Sequence, residues 1–148
     1  MARRRWLVKS EPAAYSWERL VREGRAVWDG VRNAQAQGCL SAMGEGDLVL
    51  FYHSGEGREV VGVAKVARAA YPEPGAGDPR WVAVDLVPVK PLARAVALAE
   101  IKADRALAGI PLVRQGRLSV MPLEPDAFDR IVELAQGPGR QRSAAPRR

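Results

Sequence analysis

The sequence predicts an α+β fold, a small barrel of about five or six strands with short helices flanking it. Three observations carry this expectation. The 148 residues suffice for one hydrophobic core and not for two. Hydrophobic residues make up 47% and charged residues 27%, the balance of a folded chain rather than a disordered one. The apolar pattern moves between extended and helical periods without the strand–helix alternation of a doubly wound sheet, and without a glycine-rich phosphate loop.

Each element has a local cause. Trp6-Leu7-Val8-Lys9 reads as a first strand, closed at Glu11-Pro12 because proline has no N–H for a ladder and biases Glu11 to extended geometry. Ser16 caps a short helix with Trp17, Leu20 and Val21 on one face and Gly24 at its end. Val27-Trp28-Asp29-Gly30 is a brief extended piece, and Asn33 caps a helix running from Ala34 towards Met43, with Gly44 at its end. Leu48 to His53 is a mostly apolar run predicted to be buried on both faces. Ser54-Gly55-Glu56-Gly57 turns the chain into a long return strand, Glu59 to Ala70. After a loop that begins at Tyr71-Pro72-Glu73-Pro74-Gly75, Trp81 to Val89 alternates as a half-buried strand ended near Pro88 and Pro91. Leu98, Ile101 and Lys102 suggest a short helix, and Arg117-Leu118-Ser119-Val120 a last strand. The final helix starts at Glu124-Pro125-Asp126 and sets Phe128, Ile131, Val132 and Ala135 at helical spacing. Gly137-Pro138-Gly139 breaks that pattern, so residues 1–136 form the expected domain and 137–148 a disordered basic tail.

The net charge of +6 points to nucleic acid less directly than it first suggests, because seven arginines lie in the two ends: Arg3, Arg4, Arg5, Arg140, Arg142, Arg147 and Arg148. Neither end carries an acid, so the body from Trp6 to Gln136 is close to neutral, at −1. Nucleic-acid binding by such a body calls for a shaped pocket, with the ends adding a salt-sensitive and sequence-blind component. No apolar stretch is long enough to span a bilayer or to serve as a signal-peptide core, so a cytoplasmic protein with no membrane partner is expected. One cysteine, Cys39, and one histidine, His53, are too few for an intrachain disulfide or a Cys/His zinc site. Neither metal nor cofactor is expected.

Enzyme chemistry finds little support in the spacing. His53 is the one imidazole base available to Ser10, Ser54 or Cys39, and no nucleophile-elbow pattern surrounds a serine. Glu11, Asp29, Asp47 and Asp85 are scattered singly. A binding pocket is better founded. Trp28-Asp29-Gly30-Val31-Arg32-Asn33 gathers an aromatic, an acid, a guanidinium and an amide at one strand-to-helix junction. An extruded base needs such groups: a ring to stack on, hydrogen-bonding partners for its edge, and cations for the flanking phosphates. The blander alternative has Trp28 filling core and Asn33 only capping its helix. Phe51 and His53 share one strand face and Tyr52 takes the other, so at most one of the two aromatics lines a pocket on a given side.

Several words of the sequence, in order, resemble EVE-domain proteins. They are Trp6-Leu7-Val8-Lys9-Ser10-Glu11-Pro12, Trp28-Asp29-Gly30-Val31-Arg32-Asn33 with Gln35-Ala36, and Gly46-Asp47-Leu48-Val49-Leu50-Phe51-Tyr52-His53-Ser54. Val61-Gly62-Val63-Ala64, Tyr71-Pro72-Glu73-Pro74, Asp78-Pro79-Arg80-Trp81 and Arg117-Leu118-Ser119-Val120 follow. The likeness runs from Trp6 to about Leu134. It implies a PUA-like β-pseudobarrel and a pocket for a modified base of the 5-methylcytosine type, in DNA or RNA, with nucleic acid as partner. Carried onto this chain, it implies pocket residues Lys9, Ser10 and Glu11, then Trp28, Arg32 and Asn33, then Tyr52 and His53, then Arg117 and Ser119. The sequence departs from the pattern at Gln37-Gly38-Cys39, in a short segment after Tyr71-Pro72, and at Met121.

A non-enzymatic reader of a modified base is therefore expected, with Trp28 stacking, Asn33 and main-chain groups near Ser10 reading the edge, and Arg32, Arg117 and Lys9 holding phosphates. The alternatives are a small hydrolase of a modified nucleoside, using Asp29 or Glu11 beside His53, and an interaction module whose pocket is vestigial.

Overall fold

The computed structural model describes residues 4–55 and 57–136. The tail assigned to 137–148 lies outside the described residues, as does Glu56 of the hairpin turn. In chain order the elements are β1 (Arg5–Ser10), α1 (Trp17–Glu23), β2 (Ala26–Trp28), α2 (Ala34–Ala42), β3 (Leu48–His53) and β4 (Glu59–Pro72). Then come β5 (Val82–Ala97), α3 (Leu98–Ala103), α4 (Pro111–Arg114), β6 (Val120–Leu123) and α5 (Pro125–Leu134). The strands form one six-stranded sheet in the order β2-β5-β4-β3-β1-β6. Only β1 and β3 run parallel, the crossover between them being α1, β2 and α2. The expected α+β class with a PUA-like strand arrangement is borne out.

The caps predicted from sequence are present. Ser16 Oγ accepts from the Arg19 N–H at 3.1 Å, and Gly24 ends α1 at φ 78°. Asn33 Oδ1 accepts from the Ala36 N–H at 2.9 Å. β3 is enclosed on both faces, with Val49, Leu50 and Phe51 wholly buried. On α5, Phe128 and Ile131 face the core, as does Ala135 at its C-cap.

Four local expectations are corrected. β5 does not end near Pro88 and Pro91 but continues to Ala97, pairing Pro88 with Ala64 and Pro91 with Gly62. Because β2 covers β5 only at Val84–Leu86, the later half of β5 has one neighbour, and prolines are tolerated on such an open edge. The last strand is Val120–Leu123, so Arg117 lies in a turn and Ser119 just before the strand. A short helix, α4, opens on Pro111 where none was expected. Val21 is half exposed while Trp17 and Leu20 are buried.

Repeated register shifts between β4 and β5 bend these long strands, so the sheet curls. Phe51 lies in the middle of the curl, with ring centroids 5.5 Å from Trp17, 5.5 Å from Trp28 and 5.7 Å from His53, all close to edge-on. Such pairs add about 0.5–1.5 kcal/mol each beyond the area they bury. Trp17 covers Gly62 of β4 so closely that a Cβ there would sit 2.5 Å from the indole ring. Trp6 is sealed, its indole N–H donating to Asp47 Oδ2 at 2.9 Å. The Arg4 and Gly44 N–H groups donate to the same carboxylate at 3.0 and 2.9 Å. Burial opposes ionisation of Asp47, but these three donors outweigh it and hold the carboxyl below its usual range. Among the described residues, no helix is long and apolar enough to cross a membrane.

Candidate functional site

β2 and β6 are the two outermost strands of the sheet, yet one hollow takes residues from both ends of that order. Its walls are Lys9 and Ser10 from the end of β1, Trp28 from β2, residues 29–32 after it, Ser119 before β6, and Tyr15. The curled sheet therefore meets itself at an open seam, and the hollow, of about 450 Å³, lies in it. As an edge strand, β2 spends only one row of its amides and carbonyls on β5 and presents the other away from it.

The indole of Trp28 is half buried: one part packs edge-on against Phe51, and the rest borders the hollow. Tyr15 stands at right angles to it, with centroids 6.1 Å apart and an interplanar angle of 87°. The two rings make an aromatic corner. Ser10 Oγ donates to the Tyr15 carbonyl at 2.6 Å and fixes the segment carrying that ring. The Tyr15 hydroxyl donates to Glu23 at 2.8 Å; burial first, and this carboxylate second, push its pKa up to about 12. Lys9 Nζ donates to the Gly116 carbonyl at 2.7 Å, and burial lowers its pKa.

The segment after Trp28 is held at three points. Gly30 takes φ 74°, a conformation open to glycine, and its N–H donates to Glu73 Oε1 at 2.8 Å. Arg32 meets the same carboxylate end-on, Nη1 to Oε1 at 3.0 Å and Nη2 to Oε2 at 2.8 Å, while lying 4.8 Å from the centroid of Trp81. Hydrogen bonding from Arg32, then from Gly30, drops the Glu73 pKa to about 2. Gln37 Nε2 donates to the Val31 carbonyl at 2.7 Å, and Gln37 Oε1 accepts from the Val82 N–H at 3.0 Å.

Of the ten residues expected at the pocket, Lys9, Ser10, Trp28, Arg32 and Ser119 line the hollow. Arg32 borders it with a guanidinium already held by Glu73 rather than waiting for a phosphate. The other five do not line it. Asn33 spends its side-chain oxygen on the helix cap, so it is not placed as an edge reader. His53 is buried with Nε2 accepting from the Trp17 N–H at 3.0 Å, and burial lowers its pKa. Tyr52 lines not this hollow but a neighbouring one that shares Lys9 with it. Glu11 packs beside Gly55, and Arg117 sits exposed in the turn after Gly116. The carboxylates that sequence left scattered stay apart: Asp47 holds Trp6, Asp85 holds Arg25 and Tyr71, and Asp29 alone reaches the hollow. Sequence reasoning missed Tyr15 and Glu73. Glu73 stands in one of the family-like words, Tyr71-Pro72-Glu73-Pro74, but nothing in its neighbours announces its partner.

The chain matches the EVE domain over residues 4–134, which takes in every strand and helix described above. It is 34% identical over 165 aligned positions to thymocyte nuclear protein 1 of Mus musculus, covering 88% of this chain and 73% of that protein. The NMR structure of Rpa0253 from Rhodopseudomonas palustris superposes with a TM-score of 0.87 at 40% identity, over 90% of this chain and 93% of the other. Human THYN1, solved in complex with 5-methylcytosine-containing DNA, superposes with a TM-score of 0.82 at 32% identity, over 90% of this chain and 98% of the other. With one pseudobarrel shared along almost the whole described length, the chain belongs to the EVE domain family.

Proposed function

We propose that this protein is a non-enzymatic binding module that takes a modified base of the 5-methylcytosine type, in a nucleic-acid strand, into the hollow beside Trp28. The observation that carries the reading is the aromatic corner: Trp28 and Tyr15 at 87° on one side of a hollow open to solvent. A planar heterocycle stacks on one ring and is bounded by the other, and stacking on a single aromatic is worth about 1–3 kcal/mol. The row of β2 amides and carbonyls that faces away from β5, the Ser119 hydroxyl, and Ser10 Oγ as an acceptor suit a base edge. Lys9 supplies the cation at its mouth. The 5-methylcytosine-containing DNA bound by human THYN1 supports the choice of modification.

The hydrolase alternative asks for His53 as a base next to Asp29 or Glu11. Its Nε2 is spent on the Trp17 N–H and the ring lies in the core, away from the hollow. This favours binding without chemistry.

Titration of fluorescent oligonucleotides bearing methylated, hydroxymethylated or plain cytosine, in moderate salt, tests the reading. Preference for a modified form that persists as salt is raised supports it. Equal, weak binding to all of them, abolished by modest salt, leaves only the charged ends as the cause and overturns it.

A further inference from the structure

The Trp28 hollow is not isolated. Lys9 also lines a second hollow of about 220 Å³, together with Tyr52 and Arg58. Gly55, Arg58 and Leu98 pass from that one to a third, of about 760 Å³, which extends to Lys102. The three hollows adjoin through these shared residues, and we call the row they make, leading away from the aromatic corner, the trench. Its cations are Lys9, Arg58 and Lys102, and among the described residues no carboxylate lines the second or third hollow. Glu11 and Glu59 stand beside Gly55 and Gly57 at its margin. Among the described residues the charged side chains that line the second and third hollows are thus cations, with the acids set at the margin.

Arg58 adds an independent sign. Among the described residues, it is the one non-glycine residue with positive φ, at 48°. Its carbonyl accepts from the Leu98 N–H at 2.8 Å, so its backbone is pinned in that conformation. Glycine would occupy such a position without strain, whereas the chain places an arginine there, exposed and bordering the trench.

We infer that the trench is the path of the sugar–phosphate backbone on one side of the modified nucleotide, with Arg58 and Lys102 contacting successive phosphates. This rests on the reading of the Trp28 hollow as the base site and extends it to a strand with a single exit direction. Lys9 stands at the junction, where the nucleotide's own phosphate leaves the base cavity.

The test compares 5-methyl-2′-deoxycytidine 5′-monophosphate with short DNA oligonucleotides carrying the same residue at the 5′ or the 3′ end, on the wild type, Arg58→Gly and Lys102→Ala. Arg58→Gly removes the side chain while relieving the positive φ, so its thermal stability is expected to be undiminished. Extension in one direction should tighten binding over the mononucleotide, and extension in the other should not. Each substitution should abolish part of that gain, leave mononucleotide affinity unchanged, and lower the salt slope by about 0.7 for each phosphate that is no longer neutralised. Mononucleotide binding together with oligonucleotide affinities that neither substitution alters would overturn the inference while leaving the base site standing. No binding of any probe would remove the base site itself, and the inference with it.

Discussion

Arg32 and Glu73 are joined end-on across 41 residues of sequence, and the Glu73 side chain, only 8% exposed, also receives the Gly30 N–H. One carboxylate thus ties the connection after β4 to the loop that follows Trp28. Arg32, half exposed, contributes little to stability through so screened a pair. The clamp acts instead by fixing the wall of the hollow, so Glu73 is a positioning residue.

Glu73→Gln should reduce affinity for a modified nucleoside several-fold while leaving the melting temperature almost unchanged, since the amide keeps one acceptor for Gly30 and loses the two-pronged ion pair with Arg32. Because the Glu73 pKa falls to about 2 on folding, its small stabilising contribution is complete above the unfolded value of about 4.3 and is lost as pH drops towards 2. Calorimetry of both proteins with and without nucleoside checks it; equal affinities would show the clamp to be irrelevant to the site.

Trp28→Ala separates a stacking wall from a core residue. The indole is half buried, so its loss should cost less than the roughly 3–5 kcal/mol of a fully buried tryptophan. Binding should fall by the stacking energy of about 1–3 kcal/mol, roughly 5- to 150-fold. Urea denaturation and nucleoside titration on the same variant give both quantities. A full core penalty with affinity preserved would return Trp28 to the interior.

Gly62→Ala should destabilise the fold without touching the hollow directly. The new Cβ would lie 2.5 Å from Trp17, a ring confined by Phe51, and overpacking of this kind costs about 1–3 kcal/mol. A lower urea midpoint is expected, with the slope unchanged.

His53 makes stability depend on pH near neutrality. Burial lowers its pKa below the ordinary value, and Nε2 must stay unprotonated to accept from Trp17. Below the unfolded pKa of about 6.5 the unfolded chain takes up a proton that the folded one refuses, so stability falls as pH drops towards the lowered value. His53→Gln keeps an acceptor without the titration and should flatten the profile across that window in denaturation at several pH values.

The elements were legible in sequence wherever a local cause sufficed. Ser16 and Asn33 cap as their side chains dictate, and β3 is buried on both faces as its apolar run requires. Pro88 and Pro91 misled because their tolerance depends on β2 being too short to cover that edge, a fact of the sheet rather than the strand. The site was half legible for the same reason. Trp28 stood out by composition, but Tyr15 meets it from the connection between β1 and α1, and Arg32 is occupied only because Glu73 reaches it from the far end of β4.

The claim that the hollow receives a modified base is tested most directly by following the four tryptophan indole N–H resonances while 5-methyl-2′-deoxycytidine is added. The account predicts a saturable shift of Trp28, accompanied by the amides of Ser10 and Ser119, with the sealed Trp6 and Trp17 resonances nearly still. Saturable binding that moves other regions and leaves Trp28 in place, or no binding at all, would contradict it.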